Sequence, residues 1–524
     1  MKRVLFAAAA MLMLAGCFNQ NNNKDVSTPL PDETTAPDTP TPTPAAPVKG
    51  GTLRVPMRPP KTLNPLLNED ASVDTVLKLL FEPLIVLDKS FKPVPNLASF
   101  NFTSDGLGVT ITLRDNLKWS DGTPITTGDI AFSLDTLRSA PDQAVYKNCV
   151  SNISAQYTIL DDKKIKLQFL QPYSGMAYQF CFPIISKAYY GIQTDPGSAE
   201  NMNPVGDGLY KFDSYDNLKE MQLSLNPYTY RQGPYINAID VIIAPDQQTE
   251  LNAFDQRLID VVSAELAEWG RYRNKANTNI DEYSTMYYDF IGFNFNNETL
   301  AKLDVRQAVA HAVNIPDIIA NIYLGHASMA FTPVNPDSWL FEPDVDKYDY
   351  NLDTATALVA KTGGYSGQPL RILVNKENDE RVKIAGILNT NLNKIGLAAT
   401  VESLDYAGYL DKLNSGDYDI FVGGFNLSPV PDLGFAFGSS EGAANMFSYK
   451  DDTMNALLAA AFSAIGTTSY QKSMSELQKY IAAQLPCVSL VFRKSAMLTS
   501  DGVLGDKFPV ASNIFANINQ WYIR

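Results

Sequence analysis

Catalysis needs bases, nucleophiles or metal ligands at workable spacings, and this chain is poor in them. Its 524 residues hold two histidines, His311 and His326, and four cysteines, Cys17, Cys149, Cys181 and Cys487. No Cys-x-x-Cys or His-x-x-x-His spacing occurs, so no metal site is expected. Two isolated histidines leave little for a Ser–His or Cys–His pair. No H-E-x-x-H, Gly-rich phosphate loop or nucleophile elbow is read. The acid pairs Asp161-Asp162 and Asp451-Asp452 read as solvated turns. A glycosidase-type acid pair has no fixed spacing and stays open as an alternative. The expected class is a binding protein without cofactor, not an enzyme.

The elements that would position such a site are α/β. Ile111 and Leu113 alternate with Thr110, Thr112 and Arg114, a half-buried strand. Asp121-Gly122 marks a turn, and Asp129 is placed to cap a helix with Ile130, Leu134 and Leu137 on one face. Tyr287 to Asn296 has the density of a buried crossing strand. Strands at Leu370–Val374, Leu397–Leu404 and around Asp419–Phe425 alternate with helices at Arg381–Ile395 and Tyr406–Leu413. Gly396 follows as a C-cap. That alternation predicts an α/β lobe with a largely parallel sheet. Ligands of such sheets sit beyond the carboxyl ends of the strands, so Phe425, Asn426 and Ser428 are the first site candidates.

Composition excludes some partners. The formal net charge is -15, so nucleic acid is not expected. At the N-terminus, Lys2 and Arg3 precede an apolar run ending in Leu14-Ala15-Gly16-Cys17. This order resembles a bacterial lipobox: residues 1–17 are the signal, and a lipid on Cys17 holds the exported protein on the membrane surface. Residues 18–48 form a Pro/Thr-rich linker that cannot bury a core.

The segment LRDNLKWSDGTPITTGDIAFSLDTL, Leu113 to Leu137, resembles the extracellular solute-binding proteins of family 5, the peptide-type lipoprotein components of ABC importers. Other segments agree in order: Gly51-Thr52-Leu53-Arg54-Val55, Leu63-Asn64-Pro65, Asn203 to Phe212, Val305-Arg306-Gln307-Ala308, and Asp417 to Phe425. The resemblance implies a two-lobed fold of the type II periplasmic-binding-protein kind, with an extra subdomain in the first lobe and a hinge. The implied division is 49–80, 205–285 and 493–524 for lobe I, 81–204 for its subdomain and 286–492 for lobe II. A peptide or similar small polar ligand is captured between the lobes and handed to a membrane permease by a monomer. Asn64, Gly206, Asn294 and Asp432, which matches the Asp of the family's Asp-Pro motif, join the site candidates on this ground.

Asp207 stands where the family has Thr, and is either a cleft carboxylate or a solvated turn residue. Ser428 stands where peptide-binding relatives carry an aspartate for the peptide ammonium, which a neutral Ser cannot replace. A blocked peptide or a sugar therefore stays open. Arg306 is expected in a structural ion pair, and His311 and His326 in structural roles. Outside the cytosol Cys149 and Cys181 pair, leaving Cys487, against the alternative of three buried thiols. A sensor using the same fold, and least of all a secreted hydrolase, are the competing functions.

Overall fold

Leu53, Val55 and Met57 are buried on alternate positions of strand Thr52–Met57, which opens a four-stranded sheet. That strand pairs in parallel with Ala238–Ile243, which continues antiparallel through Glu220–Leu225 to Tyr210–Asp216. A second four-stranded sheet, wholly antiparallel, runs Ala98–Phe102, Gly108–Leu113, Lys164–Phe169, Ile153–Ile159. Both sheets feed one core that includes Leu53, Ile111, Leu134, Phe180 and Val241. This computed structural model describes residues 47–191, 195–217, 219–439 and 445–524. The expected signal, Cys17 and nearly all of the linker lie outside them.

The corner at Leu113–Leu137 forms as its sequence demands, with one change. Thr123 N–H donates to Asp121 Oδ1 at 2.9 Å, and Gly122 takes φ 89°. Thr126, not Asp129, is the helix cap; Asp129 sits three residues in and completes a capping box, accepting from Thr126 N–H at 2.8 Å. Its other oxygen accepts from Lys187 N–H at 2.8 Å, a tertiary bond invisible to local pattern.

The second body is a seven-stranded sheet. Its path is Val261–Ala264, Cys487–Ser500, Thr278–Phe293, Ile420–Asn426, Leu370–Asn375, Ala399–Leu404, with Ala327–Met329 against Cys487–Ser500. Only the pairs made by Leu370–Asn375 are parallel. The sheet is therefore mixed rather than largely parallel, because two long antiparallel strands occupy its centre. Helix Asp379–Lys394 covers one face through Ile384, Ala385, Leu388 and Leu392. The other face carries Phe290, Phe421, Phe447 and Met474. Gly396 takes φ 85° just past that helix, as its cap position requires.

The central pair links the two bodies. Thr278–Phe293 begins well before the expected Tyr287, and its first half pairs with Lys494 to Ser500. Its second half pairs with Cys487 to Phe492, and the register breaks between Ser284 and Tyr288. At the break Thr285 Oγ1 donates to Arg493 O at 2.6 Å. The result is a two-lobed α/β fold with long strands passing between cores.

Arg306 corrects an expectation. It is buried (4% exposed) and bonds to carbonyls of Leu300, Ala301, Gln484 and Leu485 over the Phe295 ring, with no carboxylate partner among the described residues. Four orphan carbonyls at helix and turn ends satisfy its fork without an anion. His311 and His326 are structural, facing Asp349 O and Glu282 Oε1 at 2.7 and 2.8 Å. No described helix is long and apolar enough to cross a membrane.

Candidate functional site

The carboxyl ends of Leu370–Asn375, Ala399–Leu404 and Ile420–Asn426 point the same way, since the three strands are parallel. Phe425 closes the last of them. Its ring lies 4.8 Å from that of Phe290 and 5.0 Å from that of Phe435. Asn426 is exposed opposite Tyr287, which is 46% exposed although it lies in a central strand. Ser428 and Asp432 are exposed in the segment that follows. Asp432, Leu433 and Val430 line an indentation of about 240 Å3, its open mouth included, against Tyr173, Ser174, Phe462 and Tyr470. The segment after the strand thus meets residues distant in sequence, Tyr173 and Ser174 from the first-lobe side and Phe462 and Tyr470 from its own lobe.

On the helix face of the same strands lies a buried charge cluster. Asp289 (1% side-chain exposure) takes Arg381 Nε on Oδ1 at 2.9 Å, Tyr323 Oη on Oδ2 at 2.8 Å and Arg493 Nη2 on Oδ1 at 3.1 Å. Burial alone pushes its carboxyl up, but Arg381 and Arg493 outweigh it and hold Asp289 below its ordinary value. A Cβ at Gly424 would lie 2.1 Å from Arg381 Nη2 and 2.6 Å from Asp289 Oδ1, so the glycine directly before Phe425 is what admits the pair.

The other candidates lie elsewhere. Asn64 is buried; its Nδ2 donates to Asn201 Oδ1 at 2.9 Å and its Oδ1 accepts from Leu66 N–H at 3.0 Å. Asn294 donates to Gly416 O and Tyr418 O at 3.0 and 2.8 Å, tying the end of the crossing strand to a turn. Gly206 is buried, and a Cβ there would sit 1.9 Å from Leu80 O. Its role is close backbone approach to a helix end, not an exposed mouth.

Asp207 is 3% exposed, neither of the two readings in its solvated form. Its Oδ1 accepts from Glu82 N–H at 3.0 Å, while Oδ2 has no hydrogen-bond partner among the described residues. Burial, with the nearby Glu82 charge, raises its carboxyl well above the ordinary range. Cys149, Cys181 and Cys487 are free thiols. Cys149 lies on the turn Lys147–Val150 and Cys181 ends the turn Met176–Phe180, and both pack on the first core.

Three further residues beside these strands were not among the sequence's site candidates. Tyr287 was read only as part of a crossing strand, and Arg381 only as the start of a helix. Asn375 ends its strand 6% exposed, with Oδ1 making no hydrogen bond among the described residues. Gly438-Ser439-Ser440-Glu441-Gly442 does fit G-x-S-x-G spacing, contrary to the reading above. It follows a helical turn, Gly434–Phe437, not the strand that a nucleophile elbow needs, and Ser440 lies outside the described residues. No group of three or more His, Cys, Asp or Glu able to hold a metal occurs among the described residues.

Residues 92–446 match the profile of the bacterial extracellular solute-binding proteins, family 5. The oligopeptide-binding protein AppA of Bacillus subtilis is 24% identical, covering 91% of this chain and 92% of its own length. The nickel-binding protein NikA of Staphylococcus aureus is 26% identical over 66% of this chain and 70% of its own. Among solved structures, the ABC transporter substrate-binding protein CtaP of Listeria monocytogenes superposes with TM-score 0.77 at 21% identity, covering 91% of this chain and 99% of its own. AppA of Bacillus subtilis with a nonapeptide gives 0.63 at 21%, covering 91% and 100%. With the profile spanning most of the folded body and the two-lobed architecture in place, the chain belongs to the bacterial extracellular solute-binding proteins of family 5.

Proposed function

We propose that this protein captures a peptide or a related small polar ligand between its lobes and delivers it, unaltered, to the permease of an ABC importer. The carrying observation is the pair of long strands that pass between two separate cores with a register break midway, a built place for hinge motion. The ligand then meets the carboxyl ends of the parallel strands, where Phe425, Phe435 and Tyr287 offer aromatic contact and Asn426, Ser428, Asp432 and Asn375 offer polar contact. Export, lipidation of Cys17 and a monomeric state complete the reading; the family's extracellular character supports the first. The sequence division at 81–204 and 286–492 follows the same reading.

Native mass spectrometry of the purified protein tests it. A mass adduct released as an intact peptide or small polar molecule is the expected result. A ligand that is consumed on incubation would transfer the site to an enzyme. Co-purification with a kinase or regulator instead of a permease would favour a sensor.

A further inference from the structure

Contacts between the two lobes include a reciprocal exchange of apolar side chains. Phe91 is buried in the second core alongside Phe437 and Tyr470, although its own strand neighbours belong to the first-lobe side. It holds φ 60°, a conformation a non-glycine residue keeps only where its surroundings impose it. In return Ile465, between helices Asp452–Ser463 and Thr467–Gln484, packs on the first core beside Gly106 and Pro172. Polar bonds surround these two plugs. Tyr178 Oη donates to Phe91 O at 2.9 Å and accepts from Trp339 Nε1 at 2.9 Å. Trp339 N–H donates to Ser90 O at 3.0 Å, and Ser174 N–H to Phe462 O at 2.7 Å. Lys92 Nζ lies 5.3 Å from the Trp339 ring centroid.

The segment carrying Trp339 is mounted at its other end on the break in the crossing strands. Asn335 Nδ2 donates to Thr285 O at 2.8 Å, and Ser284 Oγ bonds to Asp337. Fully buried Gln478 fixes the same stretch to its helix: its Oε1 accepts from Thr332 Oγ1 and Glu342 N–H, both at 3.1 Å, and its Nε2 donates to Leu340 O at 2.8 Å. A change of angle at Ser284–Thr285 therefore moves Trp339 as a unit.

We propose that Asn335–Trp339 is a strut joining the hinge to a clasp made by Trp339, Tyr178 and Phe91. The lobes part only when this clasp releases, and its strength sets the closed fraction of the ligand-free protein. The indentation at Asp432 includes Tyr173 and Ser174, close along the chain to Tyr178, so release of the clasp uncovers the candidate site. The inference rests on the hinged-binding reading for its purpose.

Its test needs no ligand. Trp339→Phe and Tyr178→Phe each remove one hydrogen-bonding group and keep an aromatic ring. In ligand-stripped protein, both should speed amide exchange at Trp339 and Ser174 together, several-fold, and raise the radius of gyration in small-angle scattering. Amides of Ile372 and Val422, inside the second sheet, should keep wild-type rates and so report an intact fold. Acceleration at Trp339 alone, or unchanged rates at both sites, would reduce the contact to a local bond and overturn the clasp. Failure to bind any ligand would touch only the transport reading.

Discussion

Arg381 Nε stands 2.9 Å from Asp289 Oδ1, so a helix on one face of the second sheet is bonded to the strand that enters it from the first lobe. Arg493 reaches the same carboxylate from the returning strand. One buried anion thus gathers both crossing strands and the helix that flanks the candidate site.

Asp289→Asn should be costly. Removing one partner of a buried ion cluster leaves uncompensated charge, here two guanidinium groups, at about 3–5 kcal/mol. Urea unfolding should show that loss. Because the native carboxyl is held below its ordinary value, its stabilisation is present at neutral pH and disappears as pH falls through the carboxylate range. The variant's unfolding should lack that acid limb. A cost below about 1 kcal/mol would mean that the cluster is solvated.

Asp207→Asn should act in the opposite direction. The native carboxyl titrates well above its ordinary range, so the folded state binds the proton more tightly than the unfolded state. Stability is therefore lost as pH rises from the ordinary carboxylate range towards the raised folded value. Asn keeps an acceptor for Glu82 N–H and carries no charge. We expect a gain of about 1–3 kcal/mol at neutral pH, fading in acid. Equal stability at pH 8 would show that the unpartnered oxygen is hydrated.

Phe425→Ala should weaken retention of whatever ligand co-purifies by about tenfold or more, equivalent to about 1.4 kcal/mol. The ring is half-buried, with Phe290 and Phe435 as its ring neighbours. Isothermal titration with the eluted ligand measures this. Unchanged affinity would assign Phe425 to packing alone.

Although Cys149 and Cys181 are free thiols in the structure, oxidation outside the cytosol should pair them. The turns that carry them pack on the same core and both residues are half-buried, with burial pushing the Cys149 thiol up to about 12 and the Cys181 thiol higher. Such thiols react poorly once folded, so pairing must precede closure of the core and use the extracellular oxidant. Alkylation after denaturation should find Cys487 modified and both others protected. Three alkylated thiols would leave them as core packing.

Local patterns went far. The corner at Leu113–Leu137 and the strand and helix alternation from Leu370 to Phe425 follow from short-range chemistry, since turn residues, caps and apolar period act within a few residues; the family came instead from the resemblance of ordered motifs to known sequences. The site was less legible. Ser428 and Asp432 are exposed after the strand, while Asn64, Asn294 and Asp207 bond inward and Gly206 packs on Leu80. A polar residue in a loop has the same local signature whether it faces a ligand or a neighbouring backbone.

Sequence alone determined the elements, the crossing strand and the absence of metal-ligating spacings, because these depend on side-chain period and composition. Tertiary structure decided the mixed sheet, the carbonyl-bound Arg306, the Asp289 cluster and the burial of Asp207. Each of these joins residues far apart in the chain. Burial and electrostatic partnership are set by what packs across the space between elements, and no local spacing encodes that.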